Sequence, residues 1–563
     1  MYWADELAEA VAGPQVINDS KTPSGTVHVG SLRGVVLHDA VLRALRDRGR
    51  PATFLYGVDD MDPMDTQAHL SGDAIARYMG VPLSRVPAPE GSGADSYARY
   101  FVGELFLGTF ARLGIHPATY WMSDRYRDGS LDPAIRRALD RAEVVRDIYR
   151  RVSRVEKSSA WLPISVVCED CGRIGTTDAT AWDGETVAYR CAPDAVTWAV
   201  GCGHSGRVAP FRGRAKLKWN VDWAAKWTLL GVTIEGCGKD LATAGGSRER
   251  SDAISREVFE REPPLNIAYE FLNIGGRKMS TSRGTGASAH EIAALLPGEL
   301  LRFLFLRHKP RKAIDFDPEG DTIPGLFDEF DRIATAVAGR PTRGELPPDP
   351  DRIFRQSLVG ADADGAVEAG RFRPSFRHLA LLLQVPGVDL GARMAAEKGQ
   401  PLDDEERRIL DQRTAIARLW LDTFAPDRYR IEVHEADVPA GVSTLTPEQR
   451  GFLGRLAAAL EGGQPMSGDG WQDLIFRVAQ ERSVPSGAAF TALYQAFLGR
   501  ANGPRAGWLL ASLSAAFVSE RLRAASALDD PLSGVPAAPD ERVAGGPVEG
   551  TGPSGAPGVA APG

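Results

Sequence analysis

One stretch near the start of the chain, residues 14–60, constrains the fold more than any other. It reads PQVINDSKTPSGTVHVGSLRGVVLHDAVLRALRDRGRPATFLYGVDD. Its middle carries an apolar stripe at helical spacing: Val35, Val36, Leu37, Val41, Leu42 and Leu45, with Arg43, Arg46 and Arg48 off the stripe. Because strand-like segments flank this helix and Gly49 ends it, the stretch predicts one βαβ unit of a parallel sheet. Ligands bind at the carboxyl ends of such strands, so the loops after Asn18 and Asp59 are expected to share a crevice.

Length and composition exclude several classes of protein. The chain has 563 residues, of which 43% are hydrophobic and 25% charged, values that predict a globular protein of several domains. The sequence contains no apolar run of about 18 residues or more and no secretory signal at its start, which predicts a cytoplasmic location. A net charge of -8 gives no global indication of nucleic-acid binding, although a local basic face is compatible with it.

The loop between the first strand and the helix can bind an anion. It reads TPSGTVHVGSLRG, residues 22–34. Gly25 and Gly30 permit close approach of the backbone, and the free amides at the start of the helix attract negative charge. His28 can donate a hydrogen bond to a phosphate oxygen. The simpler interpretation of this motif alone is a histidine that caps or packs at the helix start.

A second glycine-bounded loop, GGRKMSTSRGTG at residues 275–286, concentrates donors for phosphate. Lys278 supplies a mobile ammonium, and Ser280, Thr281 and Ser282 supply hydroxyl groups. A solvated polar turn is the alternative. Met279, an apolar residue within the loop, and the strand-like segment that precedes the loop favour phosphate binding.

Together the two loops resemble the signature motifs of class I aminoacyl-tRNA synthetases, HIGH as HVGS at residues 28–31 and KMSKS as KMSTS at residues 278–282. Four further segments are similar to class I lysyl-tRNA synthetase, in the same order and at similar spacing: KLKWNVDWAAKW (216–227), GKDLATAGGS (238–247), PLNIAYEF (264–271) and LRFLFLRHKPRKAIDFD (301–317). The resemblance covers roughly residues 14–320, and the helical remainder only by its architecture.

The resemblance implies a lysine–tRNA ligase that forms lysyl-adenylate from ATP and transfers the lysyl group to tRNA. It implies that His28 and Lys278 are catalytic. It implies an ATP site made of Ser24, Gly25, His28, Gly30, Lys278, Met279, Ser280, Thr281 and Ser282. In this reaction the carboxylate of the amino acid attacks the α-phosphorus of ATP. Preorganised hydrogen-bond donors and Mg²⁺ neutralise the negative charge that develops on the phosphoryl oxygens.

The resemblance also assigns an amino-acid pocket. Trp219 and Tyr269 match positions whose aromatic rings line the lysine site, where cation–π contact favours an ammonium. Asp19 and Ser20 replace a threonine and a glycine of the family, and Leu241 replaces a histidine. These three differences keep the identity of the amino acid open, although a carboxylate at position 19 suits a cationic substrate.

The acidic loop beside the same crevice, GVDDMDP, allows two interpretations. Asp59, Asp60 and Asp62 either attract a cationic substrate or cap a turn.

Four of the five cysteines fall within one short, β-prone region: Cys168, Cys171, Cys191 and Cys202. Four thiolates suit tetrahedral, structural Zn²⁺. Because the second pair is widely spaced, His204 is an alternative to Cys191 as the fourth ligand, and reduced thiols without metal are the alternative to zinc. Cys237 is expected to be a lone structural thiol.

The expected fold is therefore an α/β Rossmann-type catalytic domain with a cysteine-rich zinc insertion, followed by an all-α C-terminal domain. The predicted parts are the first catalytic half (1–160), the insertion (161–218), the second half with the KMSTS loop (219–290), a helical connective domain (291–345), a helical anticodon-binding domain (346–528) and a disordered Pro/Gly/Ala tail (529–563).

Basic residues concentrate in FRGRAKLKW and RFLFLRHKPRKA, where they predict either phosphate contacts to tRNA or a solvated charged face. Two other functions are compatible with the sequence: an enzyme of the same machinery with a different amino acid or acceptor, and a catalytically silent RNA-binding paralogue.

Overall fold

The computed structural model describes residues 1–65, 72–274, 277–278, 288–360, 363–385, 387–460 and 467–527, and at residues 75, 274, 277 and 278 the backbone only. The chain forms two units, Met1–Ile431 and Glu432–Gly563. The predicted boundary between residues 345 and 346 therefore lies inside the first unit. Among the helices of the described ranges, none is both long enough and apolar enough to cross a membrane.

The first unit contains all of the strands and sixteen helices of the described residues. The strands are β1 (Gln15–Lys21), β2 (Ala52–Val58), β3 (Ala118–Trp121), β4 (Ile164–Val166), β5 (Thr177–Trp182), β6 (Val187–Cys191), β7 (Ser205–Val208), β8 (Ala215–Leu217), β9 (Cys237–Gly238), β10 (Ala268–Tyr269), β11 (Leu272–Ile274), β12 (Arg277–Lys278) and β13 (Ile314–Asp315). The helices are α1 (Trp3–Ala10), α2 (Leu32–Asp47), α3 (Asp73–Tyr78), α4 (Met122–Arg127), α5 (Asp132–Asp140), α6 (Ala142–Ser153), α7 (Trp219–Leu230), α8 (Ser247–Glu257), α9 (Ala289–Leu295), α10 (Gly298–Leu306), α11 (Thr322–Val337), α12 (Pro350–Ser357), α13 (Gly365–Gly370), α14 (Phe376–Leu382), α15 (Leu390–Lys398) and α16 (Asp404–Thr423).

The predicted βαβ unit is β1–α2–β2, and the two strands pair in parallel from Gln15 with Ala52 to Lys21 with Val58. β3 pairs in parallel on the far side of β2. On the other side of β1, parallel bridges join Ile17 to Ile234 and Ile234 to Leu265, and β9 pairs with β10 in the same direction. The order across the sheet is thus β3, β2, β1, the segment at Ile234 and the segment at Leu265, which is the order of a doubly wound sheet.

Helix α2 is buried on all sides from Leu32 to Leu45. Its apolar stripe packs into one core with β1, β2, helices α9 to α14 and helix α16. Its polar residues are buried as well. Arg43, predicted from the sequence to lie off the stripe, is only 8% exposed, and its guanidinium pairs with Asp39 at 2.8 Å and donates to the Leu358 carbonyl at 2.7 Å.

The cysteine-rich region folds as two small antiparallel sheets, β4–β8 and β5–β6–β7. Thr177 joins them, because its hydroxyl donates to the Val166 carbonyl at 2.6 Å and accepts from the Val166 amide at 3.1 Å. The apolar residues of this module pack against α4 to α8. A separate sheet, β12–β11–β13, carries the backbone that enters the second signature loop.

Side-chain caps fix several helices of the chain. In α16, Asp403 accepts from the Glu406 amide at 2.8 Å while Glu406 accepts from the Asp403 amide at 2.9 Å, which is a capping box.

The α-helices that the structure describes in the second unit are α17 (Pro447–Ala458), α18 (Gly468–Glu481), α19 (Ser486–Leu498), α20 (Ala506–Ser512) and α21 (Ala515–Ala527). Thr446 and Gln449 form a capping box at the start of α17.

Candidate active site

The site lies at the carboxyl end of β1. This strand has β2 on one side and the Ile234 segment on the other, so the chain connections leave it in opposite directions and open a crevice there. Asp19 and Ser20 lie just before Lys21, the final residue of this strand, and the HVGS loop follows.

The HVGS loop enters α2 through a 3₁₀ turn, Val29–Ser31, that His28 precedes. Gly25, with a φ of 127°, has a backbone conformation that L side chains rarely adopt. The His28 backbone forms an antiparallel bridge with Ser288, and the Ala289 amide donates to the Val27 carbonyl at 2.8 Å. The first motif is therefore joined directly to the chain that follows the second motif.

Lys278 lies in β12, where its backbone pairs with Asn273 of β11. The side chain of Lys278 and the predicted ATP-binding residues Met279, Ser280, Thr281 and Ser282 lie outside the described residues. The strand that leads to them is fixed by Arg33, which is fully buried three residues after Gly30.

The Arg33 guanidinium donates to four carbonyl groups. They belong to Glu270 (2.7 Å), Phe271 (3.1 Å), Pro310 (3.0 Å) and Lys312 (2.7 Å). These carbonyls flank β11 and β13, so Arg33 ties the helix of the first motif to the strands beside the second.

Two predicted pocket residues come together around α2. A Cβ atom added to Gly34 would lie 2.8 Å from Asp19 Oδ2 and 2.8 Å from the Tyr269 hydroxyl oxygen. The Asp19 carboxylate and the Tyr269 phenol therefore approach the same point of the helix surface, one turn after the HVGS loop. Ser20 lies beside them, and its hydroxyl donates to Asp59 at 3.2 Å.

Two of the three acids of the GVDDMDP loop form ion pairs with buried lysines. Lys226 Nζ lies 2.6 Å from Asp59 Oδ1, with the two side chains 3% and 7% exposed. Burial alone would raise the pKa of the Asp59 carboxyl, but Lys226 outweighs it and holds that pKa below its usual value. Lys216 Nζ lies 3.0 Å from Asp62, which also accepts from the Thr22 hydroxyl at 2.8 Å.

Asp60 is the third acid of that loop, and among the described residues no lysine or arginine forms an ion pair with it. Burial raises its pKa to about 6, against the opposing effect of hydrogen bonds from Ser123. These bonds come from the Ser123 amide at 2.7 Å and its hydroxyl at 2.5 Å. Of the two interpretations of GVDDMDP, the contacts favour the structural one for all three acids.

Trp219 begins α7 and is 38% exposed. Its ring packs on Trp223 at a centroid distance of 5.2 Å, and Trp223 packs on Trp227 at 5.2 Å. The indole N–H groups of Trp223 and Trp227 both donate to the buried Glu235 carboxylate, at 2.9 and 2.6 Å. A rigid aromatic stack thus supports the exposed ring.

Leu241, the third departure in the pocket, is half-buried and packs against the core of the cysteine-rich side. Sequence reasoning missed His38, Lys226 and Glu235 as residues of this region. The signal for the first two was a charged or titratable residue inside an apolar helix, which by itself does not identify its partner.

The four cysteine sulfurs form one cluster. Their Sγ atoms all lie within 4.8 Å of one another, with 3.6 Å between Cys168 and Cys202 and 3.7 Å between Cys171 and Cys191. His204 is outside the cluster, and its ring lies 5.9 Å from that of Tyr189. Of the two candidates for the fourth position, the geometry favours Cys191. Cys237 is buried and apart from this cluster, as expected.

The sheet order, the crevice at β1 and the link between the first signature motif and the chain that follows the second are features of a class I aminoacyl-tRNA synthetase. The family model described as "tRNA synthetases class I (K)" matches residues 1–352, and the chain belongs to this family.

Relatives match over nearly the whole chain. The lysine–tRNA ligase of Methanosarcina barkeri is 34% identical over 548 residues, which cover 93% of this chain and 98% of that protein. The lysine–tRNA ligase of Archaeoglobus fulgidus is 34% identical over 531 residues, 93% of this chain and 100% of that protein. A solved glutamate–tRNA ligase from Elizabethkingia meningosepticum covers 91% of this chain and 99% of its own at 11% identity, with a TM-score of 0.39, a similarity too low to define the fold further.

Proposed function

We propose that this protein is a lysine–tRNA ligase, which activates lysine with ATP to lysyl-adenylate and transfers the lysyl group to tRNA(Lys). The observation that carries the proposal is the 34% identity with lysine–tRNA ligases over 93% of the chain. The meeting of an acidic and an aromatic side chain, Asp19 and Tyr269, at the end of β1 supports a cationic amino acid.

The chemistry needs positioning and charge stabilisation. His28 and the backbone of Ser24, Gly25 and Gly30 bind the ATP phosphates. The lysine carboxylate attacks the α-phosphorus, the bond from that phosphorus to the bridging oxygen breaks, and pyrophosphate leaves. The Lys278 ammonium neutralises the charge on the leaving group, aided by the donors of the KMSTS loop. Mg²⁺, when bound, shares this neutralisation. The ribose hydroxyl at the end of tRNA then attacks the carbonyl carbon and releases AMP.

The amino-acid pocket selects lysine by charge and by aromatic contact. Trp219, held by its stack, and Tyr269 enclose the aliphatic stem and ammonium. Asp19 supplies the negative charge, and Ser20 shapes the wall between Asp19 and the Asp59–Lys226 pair.

A structural Zn²⁺ in the cysteine cluster fits the donor set. A tetrahedral ion with Zn–S bonds of ~2.3 Å separates its sulfurs by about 3.8 Å. The Sγ–Sγ distances of 3.6 Å (Cys168 to Cys202) and 3.7 Å (Cys171 to Cys191) agree with that spacing. Cys168, Cys171, Cys191 and Cys202 would hold the ion, which cross-links the turns of the module and takes no part in the reaction.

The other parts of the chain are assigned to the same function. Residues 291–345 connect the catalytic part to residues 346–528, which bind the tRNA anticodon. Residues 529–563, predicted from the sequence to be a disordered tail, lie outside the described residues. The site of action is the cytoplasm.

Exchange of labelled pyrophosphate into ATP tests the proposal. Lysine supports exchange, and the other standard amino acids do not. Exchange with another amino acid and none with lysine would establish the second candidate, an enzyme of altered specificity, which Ser20 and Leu241 favour because both depart from the family near the pocket. Exchange with no amino acid, with or without tRNA, would indicate a silent RNA-binding paralogue.

A further inference from the structure

His38 is a fully buried histidine whose tautomer is fixed by its surroundings. Its Nε2 accepts a hydrogen bond from the Gly236 amide at 2.7 Å. An amide N–H only donates, so Nε2 carries no proton and the ring proton is on Nδ1. Nδ1 lies 2.7 Å from the Gly34 carbonyl oxygen and 3.4 Å from Asp19 Oδ2, and both are acceptors. The ring is thus a neutral donor whose Nδ1–H lies closest to the Gly34 carbonyl and faces the Asp19 carboxylate at the longer distance.

Asp19 keeps an uncompensated charge beside the crevice. Its Oδ1 accepts from the Ser20 amide at 2.8 Å. Within the part of the chain that the structure describes, His38 is the one basic side chain at ion-pair distance from this carboxylate, and a neutral ring does not cancel its charge. The neighbouring acid Asp59, by contrast, is neutralised by Lys226.

Gly34 provides the space that this arrangement needs. Glycine inside a helix costs about 1 kcal/mol relative to alanine, so its presence in α2 calls for a reason. A Cβ at this position would lie 2.8 Å from both Asp19 Oδ2 and the Tyr269 hydroxyl, closer than Cβ atoms approach other atoms. Any side chain here displaces the carboxylate, the phenol or both.

We propose that His38 and Gly34 determine substrate specificity by holding the Asp19 carboxylate beside the Tyr269 hydroxyl as the receptor for the side-chain ammonium group of the amino acid. His38 acts as a positioning residue through its Nδ1–H, and Gly34 acts by leaving room. This inference rests on the proposed lysine-activating function and names the residues that give it a cationic substrate.

Two substitutions of His38 isolate the Nδ1–H. Both His38→Leu and His38→Asn remove the acceptor for Gly236, but the asparagine amide keeps an N–H close to the position of Nδ1. Since the polar N–H that faces the Asp19 carboxylate is lost, His38→Leu raises the KM for lysine about 10-fold in pyrophosphate exchange, with kcat and the KM for ATP changed far less. His38→Asn restores most of the lysine affinity, and Gly34→Ala raises the lysine KM as His38→Leu does.

Val41→Ala is the matched control, because Val41 is a buried residue of the same helix whose apolar side chain cannot donate a hydrogen bond to Asp19. It destabilises α2 and leaves the KM for lysine unchanged. If His38→Leu behaved like this control, or lowered kcat and both affinities alike, the role of His38 would be structural and the inference wrong. A wild-type enzyme that fails to activate lysine would contradict the proposed function instead.

Lysine analogues identify the ammonium that Asp19 binds. Norleucine lacks the ε-ammonium, and 6-aminohexanoate lacks the α-ammonium. Between the wild type and Asp19→Asn, the inhibition constant of 6-aminohexanoate rises about 10-fold, as expected for a lost charged hydrogen bond, and that of norleucine stays the same. Unchanged constants for both analogues, equal losses for both, or a rise for norleucine alone would overturn the assignment.

Discussion

The buried ion pair between Lys226 and Asp59 offers a quantitative prediction. Its atoms are 2.6 Å apart and its side chains 3% and 7% exposed, so water does not screen the pair. Lys226→Met leaves the Asp59 carboxylate buried, and among the described side chains the Ser20 hydroxyl, at 3.2 Å, remains as its hydrogen-bond donor. Loss of one partner of a buried pair costs about 3–5 kcal/mol of unfolding free energy.

The double variant Asp59→Asn/Lys226→Met removes both charges together. We expect it to be more stable than Lys226→Met by about 2 kcal/mol or more, because no unpaired charge stays buried. Urea unfolding of the first unit, followed by tryptophan fluorescence, measures these differences, since Trp223 and Trp227 lie in the helix that carries Lys226.

An exposed pair in the same unit provides the control. Arg355 and Asp351 are 3.1 Å apart, one helical turn from each other, with side chains 54% and 55% exposed. Arg355→Met is expected to cost less than about 0.5 kcal/mol. The single variant Asp59→Asn completes the comparison. The reasoning is refuted if the double variant loses as much unfolding free energy as Lys226→Met and Asp59→Asn lose together, because additivity would mean that the buried charges do not compensate each other.

Three further predictions concern the site and the metal. Lys278→Ala slows adenylate formation in single-turnover experiments by about 100-fold or more while lysine binding changes little, and equal losses in both would contradict its role at pyrophosphate. Trp219→Ala raises the KM for lysine roughly 5-fold or more with the KM for ATP unchanged, as expected for a lost cation–π contact; a rise in both constants would indicate general damage. Cys171→Ser loses zinc on dialysis against a chelator whereas Cys237→Ser retains one ion per chain by elemental analysis, and retention by both would argue against the four-cysteine site.

Local patterns were sufficient to predict the first βαβ unit. The helical stripe from Val35 to Leu45 and the strands on either side are contiguous, and the structure confirms them as β1, α2 and β2. The full strand order could not be predicted from the sequence. The bridge partners Ile17 and Ile234 are more than two hundred residues apart, and no local pattern encodes their pairing.

Motifs in the sequence predicted part of the candidate site, whereas the buried residues around it carried no local signal of their partners. The HVGS and KMSTS motifs predicted His28 and Lys278 as site residues. His38, in contrast, looked like an ordinary helix residue, and its meaning depends on a distant amide, that of Gly236.

The charge balance of the acidic loop was likewise not predictable from the sequence. Asp59 and Asp62 were equally compatible with substrate attraction and with turn capping. Their buried partners Lys226 and Lys216 come from a segment more than 150 residues away in the chain, and only the folded arrangement reveals that the charges are already balanced.

Transfer of lysine to tRNA tests the central claim most directly. Purified protein, ATP and Mg²⁺ are incubated with total tRNA and each labelled amino acid in turn, and acid-precipitable aminoacyl-tRNA is counted. We predict that lysine is esterified to tRNA that carries a lysine anticodon and that the other amino acids are not. Charging with a different amino acid, or none with lysine under conditions where pyrophosphate exchange proceeds, would contradict the account.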